Sequence, residues 1–217
     1  MRADLTETRT MTRRLSPERL GPYVVAAGGD IAAALDLYAW NTHVSAALAT
    51  TIGHVEVVLR NAIHENLSSW STRRFAEPRW YLDPGRLLQP RQAEVVRGVR
   101  RRLRGRESPG HVVAELSLGF WRYLLANHYD ATLWRQTLHQ VFPGQADRRI
   151  IQDAIAVAHL SRNRVAHHEP MFNRPIADIR FAALELVGWV CPVSKNWIER
   201  RYSVSRVLSG RPWPPPL

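Results

Sequence analysis

The chemistry-bearing residues of this chain crowd into one stretch, Ser161-Arg162-Asn163-Arg164-Val165-Ala166-His167-His168-Glu169-Pro170. An arginine there offers a permanent planar cation whose N–H fork matches the oxygens of a carboxylate or a phosphate. A histidine exchanges a proton near neutral pH and can act as general acid or base. The stretch follows Ile150, Ile151, Ala154, Ile155 and Ala158, whose spacing marks the buried stripe of a helix. Eleven residues at about 100° each return to within ~20° of their start, so Arg162 projects on nearly the same side as Ile151. An arginine aimed along an apolar stripe is costly to bury without an anion beside it. Two arrangements satisfy it: an internal pair with a carboxylate such as Glu56, or an opening of the stripe into a site for an external anion. His167 lies about 140° further round an ideal helix and does not stack on Arg162. Asn163 and His167 share a face, as do Arg164 and His168. Pro170 disfavours helical geometry at Glu169, and unwinding of that last turn would bring His167 round.

The elements that must carry this stretch read as helices throughout, with no run of β-type alternation. The fold class expected is all-α, a single-domain helical bundle. Ser16-Pro17-Glu18 has the form of a helix start. Asp30 caps a long helical segment reaching about Trp70, with Ile52, Val55, Leu59, Ala62 and Ile63 as its stripe and a break expected at Thr50-Thr51-Ile52-Gly53. Residues 71–90 read as a loop packed by Trp80 and Tyr81. A basic helix over residues 91–104 follows, then one begun by Ser108-Pro109 that buries Leu116, Phe120, Tyr123 and Leu124. A short helix over residues 130–141 precedes the one that Asp147 caps, which is expected to end at Pro170. The last helices cover residues 176–190 and 194–201. Residues 1–15 are expected to be a flexible lead, 16–202 the domain, and 203–217 a Pro-rich tail with frayed polyproline over residues 211–217.

The chain has 217 residues, 45% of them hydrophobic and 23% charged, enough to bury a core without disulfides or structural metal. Thirty basic residues against 19 acidic give a net charge of +11, and Lys195 is the only lysine. Such an excess favours a polyanionic partner, nucleic acid first, although GC-rich coding alone also produces arginine. The excess peaks over residues 86–106, with eight arginines and one acid, Glu94. Like charges this dense destabilise an isolated helix, and a bound phosphate backbone or counterions relieve them. Arg97, Arg100, Arg101, Arg102 and Arg104 are the candidate RNA-binding residues. Trp80 and Trp121 could stack on bases, but Phe120 and Trp121 are read as core. A single cysteine, Cys191, excludes an intrachain disulfide and reads as a small hydrophobe in an apolar run. With no hydrophobic leader, and residues 181–193 too short to span a bilayer, the expectation is a cytoplasmic protein with no membrane partner.

Arg162-Asn163-Arg164-Val165-Ala166-His167 has the form R-N-x-x-x-H and resembles the signature of HEPN-superfamily ribonucleases. With His168-Glu169-Pro170 it resembles the R-N-x-x-A-H-H-E-P segment of Abi-like abortive-infection proteins. Three further blocks are similar to that family: Leu37-Tyr38-Ala39-Trp40-Asn41, Val55-Glu56-Val57-Val58-Leu59-Arg60-Asn61-Ala62-Ile63 and Glu115-Leu116-Ser117-Leu118-Gly119-Phe120-Trp121. The four blocks span about residues 16–175. The resemblance implies a helical, often dimeric enzyme that cleaves RNA without metal, the motif arginine and histidine of two subunits facing each other. The matching residues are Arg162, Asn163 and His167. The 2′-OH of RNA would be the nucleophile, His167 the proton carrier and Arg162 the stabiliser of the phosphorane, giving a 2′,3′-cyclic phosphate and a 5′-OH. Glu56, Arg60, Asn61 and His168 are candidate supporting residues: Glu56 and Arg60 either form a surface i, i+4 pair or, for Glu56, orient Arg162 or His167 while Arg60 and Asn61 line the cleft. Partners implied are RNA, a second copy of the chain, and an antitoxin protein or RNA. The competing class is a catalytically silent helical module that binds RNA or protein; a surface recruited to membrane by its arginines lacks flanking apolar anchors.

Other chemistries find no pattern. The sole lysine has no G-x-x-x-x-G-K context, and H-E-x-x-H, paired C-x-x-C, G-x-S-x-G and EF-hand spacings are absent. Adjacent histidines point apart on a helix and no acid stands at ligand spacing, so no metal and no cofactor are expected.

Overall fold

Asp30 accepts the Ala33 N–H through Oδ1 at 3.1 Å and so starts the spine of the molecule, a 45-residue helix over Ile31–Phe75. At 1.5 Å per residue it is about 67 Å long. The computed structural model describes residues 5–202 and 204–212. Within them the helices are α1 (Leu5–Leu15), α2 (Pro17–Ala26), α3 (Ile31–Phe75), α4 (Pro90–Leu103), α5 (Pro109–Glu115), α6 (Leu118–Leu124), α7 (Arg148–Ala166), α8 (Ile176–Val190), α9 (Pro192–Arg201) and α10 (Val204–Ser209). No strand forms among the described residues. The molecule is one all-α helical domain with a single core.

That core gathers on α3, which packs against α2, α7, α8, α10 and the 3-10 turn Leu138–Val141. Leu37, Val44, Leu48, Ile52, Val55, Leu59 and Ile63 are all buried along it. The expected break at residues 50–53 is not there. Thr50 and Thr51 donate their hydroxyls back to the Ala46 and Ala47 carbonyls at 3.0 and 3.1 Å, and burial of Ile52 and Val55 holds Gly53 in the helix. Tertiary packing here outweighs the local cost of a glycine.

Other expectations need correction. The helix begun at Ser108 is two, α5 and α6, because Leu116 turns to extended geometry and its carbonyl accepts the Trp121 Nε1–H at 3.1 Å. Residues 127–141 are 3-10 and π turns instead of an α-helix. The tail region carries α10, whose Val204 is buried and whose Val207 carbonyl accepts the Trp40 Nε1–H at 2.8 Å; most of the polyproline expected over residues 211–217 lies outside the described residues. At the other end Leu5–Leu15 is helical with none of its residues buried. Cys191 is half-buried, not core, and the Ser194 hydroxyl holds its thiol below the usual value. Trp80, Phe120 and Trp121 pack together inside the domain, so neither tryptophan is available to stack on a base. No single helix among the described residues is long and apolar enough to cross a membrane.

Candidate functional site

Asp147 caps α7 through its carboxylate, which accepts the Arg149 N–H at 2.8 Å, and Ile151, Ala154, Ile155, Ala158 and Ser161 bury one side of the helix against α3, α6 and α8. The far end is built by the backbone. His168 donates to the Val165 carbonyl at 3.1 Å and Glu169 to the Arg164 carbonyl at 2.9 Å, with His168 at φ +54. These are the two reversed bonds of a Schellman motif, and histidine is among the side chains enriched at positive φ. The helix therefore stops at Ala166, short of the Pro170 expected from sequence, and His168 is its left-handed turn residue. Arg164 and Glu169 close the turn with an ion pair at 3.0 Å, and Arg19 of α2 donates to the His168 carbonyl. Beyond it, the buried Asn41 of α3 accepts the Met171 and Phe172 N–H groups at 2.7 and 2.9 Å. Side chains far apart in sequence thus fix where α7 ends.

On this end Arg162 and His167 are exposed and Asn163 is half-buried. The stripe opens at Arg162, with Ser161 as its last buried residue. Among the described residues Arg162 forms no ion pair, so the internal pair with Glu56 is not made. Nor does Glu56 pair with Arg60, which reaches across to α5 and donates to the Ala114 carbonyl at 3.4 Å, leaving its buried Nε without a partner. Asn61 is exposed on α3. The structure does not join Glu56, Arg60 or Asn61 to Arg162 or His167 by a hydrogen bond, and Arg162 and His167 do not bond to each other.

What the structure does bring together was missed in the sequence. His159 stands at i−4 from Asn163 and i−3 from Arg162, on the same face of α7. Its Nδ1 lies 3.3 Å from Arg122 Nη1 of α6, and its Nε2 lies 3.3 Å from Asn163 Nδ2, one end of an amide that can turn over to present Oδ1. Because a guanidinium only donates, Nδ1 must accept, which puts the single ring proton on Nε2 and asks Asn163 to accept it through Oδ1. Burial first, then the Arg122 and Arg162 cations, lower the His159 pKa below its ordinary value. Gly119 is what lets α6 approach: a Cβ there would sit 2.9 Å from His159 Nε2. Beside this group, α4, α6 and α7 enclose an open pocket of about 540 Å³, lined in part by Arg91, Gln92, Ser117, Arg122, Tyr123 and His159. The readable signal for His159 was its i, i+4, i+8 spacing to Asn163 and His167.

The basic helix α4 is less bare than its sequence. Glu94 bridges Arg97 and Arg101 at 2.7 and 2.8 Å, Arg100 pairs with Glu107 at 2.9 Å, and Arg102 lies 3.5 Å from Glu115. Glu107 and Glu115 come from outside the helix and relieve part of the repulsion that a polyanion was expected to relieve. The Glu94 and Glu115 pairs are solvent-exposed and worth little each, so a phosphate can displace them, while the Arg100–Glu107 pair is half-buried. Arg104 is exposed at the C-cap with φ +39. No three His, Cys, Asp or Glu side chains converge as a metal site among the described residues.

Compared with protein-family models, with curated proteins and with solved structures, the chain finds no match. Fold and site therefore define a class and no more: an all-α domain presenting arginine, asparagine and histidine at one exposed helix end.

Proposed function

We propose that this chain is a metal-independent endoribonuclease of the Abi-like type within the HEPN superfamily, acting as a homodimer in abortive infection or as the toxin of a toxin–antitoxin pair. The observation that carries the reading is Arg162: it lies on the core-facing side of α7, yet it is exposed and has no carboxylate partner among the described residues. A guanidinium held open in that position suits a phosphate oxygen. His167 is exposed at the helix C-cap, an imidazole placed to carry a proton, and RNA supplies the 2′-OH nucleophile. A second copy docked at this end would set Arg162 of one subunit toward His167 of the other. The exposed Val157 and Leu160 supply apolar surface for that contact. The proposed chemistry uses no metal: Arg162 offsets the negative charge developing on the phosphorane oxygens, and His167 takes the 2′-OH proton and returns it to the departing 5′-oxygen.

The test is incubation of the purified protein with total RNA in EDTA, beside an Arg162→Ala/His167→Ala variant. Cleavage by the parent alone, with 2′,3′-cyclic phosphate ends, is expected; equal cleavage by both, or none by the parent, refutes the assignment. One observation favours a second reading, a catalytically silent helical module that binds RNA or protein: within one chain Arg162 and His167 do not meet.

A further inference from the structure

The α4–α6–α7 pocket is unlike the rest of the arginine-rich surface. Among the described residues no carboxylate lines it, while Arg91, Arg122 and His159 do. Elsewhere on α4 the arginines are tied to glutamates; Arg91 and Arg122 form no ion pair among the described residues. Arg122 gives Nη1 to His159 and also lines the pocket. Beside it is Gln92, only 4% exposed, whose buried Oε1 accepts from no protein group. A buried carbonyl oxygen without a donor is costly, and what can reach it, once the side chain turns, is whatever fills the pocket. Tyr123 adds a half-exposed ring on the same wall. The lining thus asks for a ligand with an anionic end and a hydrogen-bond donor on a flat, partly apolar body. A nucleoside phosphate has all three, and about 540 Å³ is enough to hold one.

We propose that this pocket seats one nucleotide of an RNA strand, Arg91 and Arg122 holding its phosphate and Gln92 accepting an N–H of its base. The assignment deepens the ribonuclease reading and rests on it for the word RNA. His159 is then a positioning residue: neutral, bonded to Arg122 and Asn163, it links the seated nucleotide to the Arg162 end of α7.

Binding to the full chain separates this from catalysis. The probes are a 2′-O-methyl oligoribonucleotide, which lacks the nucleophile and cannot be cut, a nucleoside 5′-monophosphate, the unphosphorylated nucleoside and inorganic phosphate. The variants are Arg91→Gln, Arg122→Gln and Gln92→Leu, with Arg13→Gln on α1 as a charge-matched control and thermal melting as a check on folding. Arg122→Gln and Arg91→Gln should each weaken oligonucleotide and mononucleotide binding about tenfold, while Arg13→Gln leaves both unchanged. Gln92→Leu should weaken the nucleotide and spare inorganic phosphate. Nucleotide binding untouched by all three variants, or inorganic phosphate bound as tightly as the nucleotide, overturns the proposal. So does mononucleotide binding that needs Arg122 while oligonucleotide binding does not, which would make the ligand a free nucleotide. A chain that binds both through Arg122 and Gln92 but cleaves no ordinary RNA keeps this pocket and refutes the nuclease.

Discussion

Two dead variants should make one live enzyme. Arg162 and His167 are five residues apart on α7, about 140° round the helix and about 7.5 Å along it. Both are exposed and no bond joins them. If one scissile phosphate needs both groups, a twofold-related chain must supply one of them. Arg162→Ala and His167→Ala alone should each lose about 10²- to 10⁴-fold in cleavage rate, the usual worth of a proton carrier or a charge stabiliser. In a mixed dimer of the two variants one site carries both lesions and the other carries neither. Random exchange makes half the dimers mixed, so an equimolar mixture should regain about a quarter of the parent's rate under twofold symmetry. The assay is initial cleavage of a fluorogenic RNA after subunit exchange, with exchange verified by native mass spectrometry of differently tagged chains. Recovery no greater than the sum of the residual activities, with exchange shown, refutes the shared site.

Asn41→Ala should cost about 2–4 kcal/mol in urea unfolding, because it strands the buried Met171 and Phe172 N–H groups; a loss under about 0.5 kcal/mol would show that another group satisfies them. His64 and His159 are both held below the ordinary histidine pKa, chiefly by burial. Each stays neutral in the native state while the unfolded chain takes up a proton, so stability is full above about pH 6.5 and falls as pH drops from there toward the lowered native values. His159→Gln should flatten that fall, as measured by melting temperature from pH 7.5 to 5; an unchanged slope contradicts the assignment. Replacing Arg100, Arg101 and Arg102 together by Gln should reduce the log–log salt dependence of single-strand RNA affinity by about two units, and an unaltered slope would remove α4 from the interface.

The parts of this fold that were legible in the sequence are those set by local chemistry. Ser16, Asp30, Ser108 and Asp147 each accept a backbone N–H two or three residues on, as their positions foretold. The apolar spacing of α3 and α7 likewise names most of their buried sides, although Ile150, expected in the α7 stripe, is exposed and Ala62 of α3 is half-buried. What escaped depends on partners distant in the chain. Nothing near Gly53 says that the helix continues; the packing around Ile52 and Val55 does. α10 is held by Trp40, more than 160 residues earlier; the break at Leu116 is the exception, its carbonyl meeting the indole N–H of Trp121 only five residues on. At the site, the turn of the helix around Arg162 was readable, but whether a carboxylate would meet it was not. His159 looked unremarkable until α6 placed Arg122 beside it.

The four sequence blocks of the Abi-like resemblance acquire a physical relation in this fold. Asn41, from the first, binds the two backbone N–H groups just past the motif and so sets the exit of α7. Val55, Leu59 and Ile63, from the second, are fully buried on α3, while Arg60 ties α3 to the end of α5. Leu116 and Trp121, from the third, break the helix so that Gly119 comes against His159. None of the three adds a side chain bonded to Arg162 or His167. They act instead on where the last turn of α7 sits and on what its inner face meets; in the proposed dimer a small shift of that helix end would move both Arg162 and His167 relative to the twofold mate. Under the proposed nuclease reading the distant blocks would therefore act through rate and dimer geometry, not through the chemistry of the bond broken.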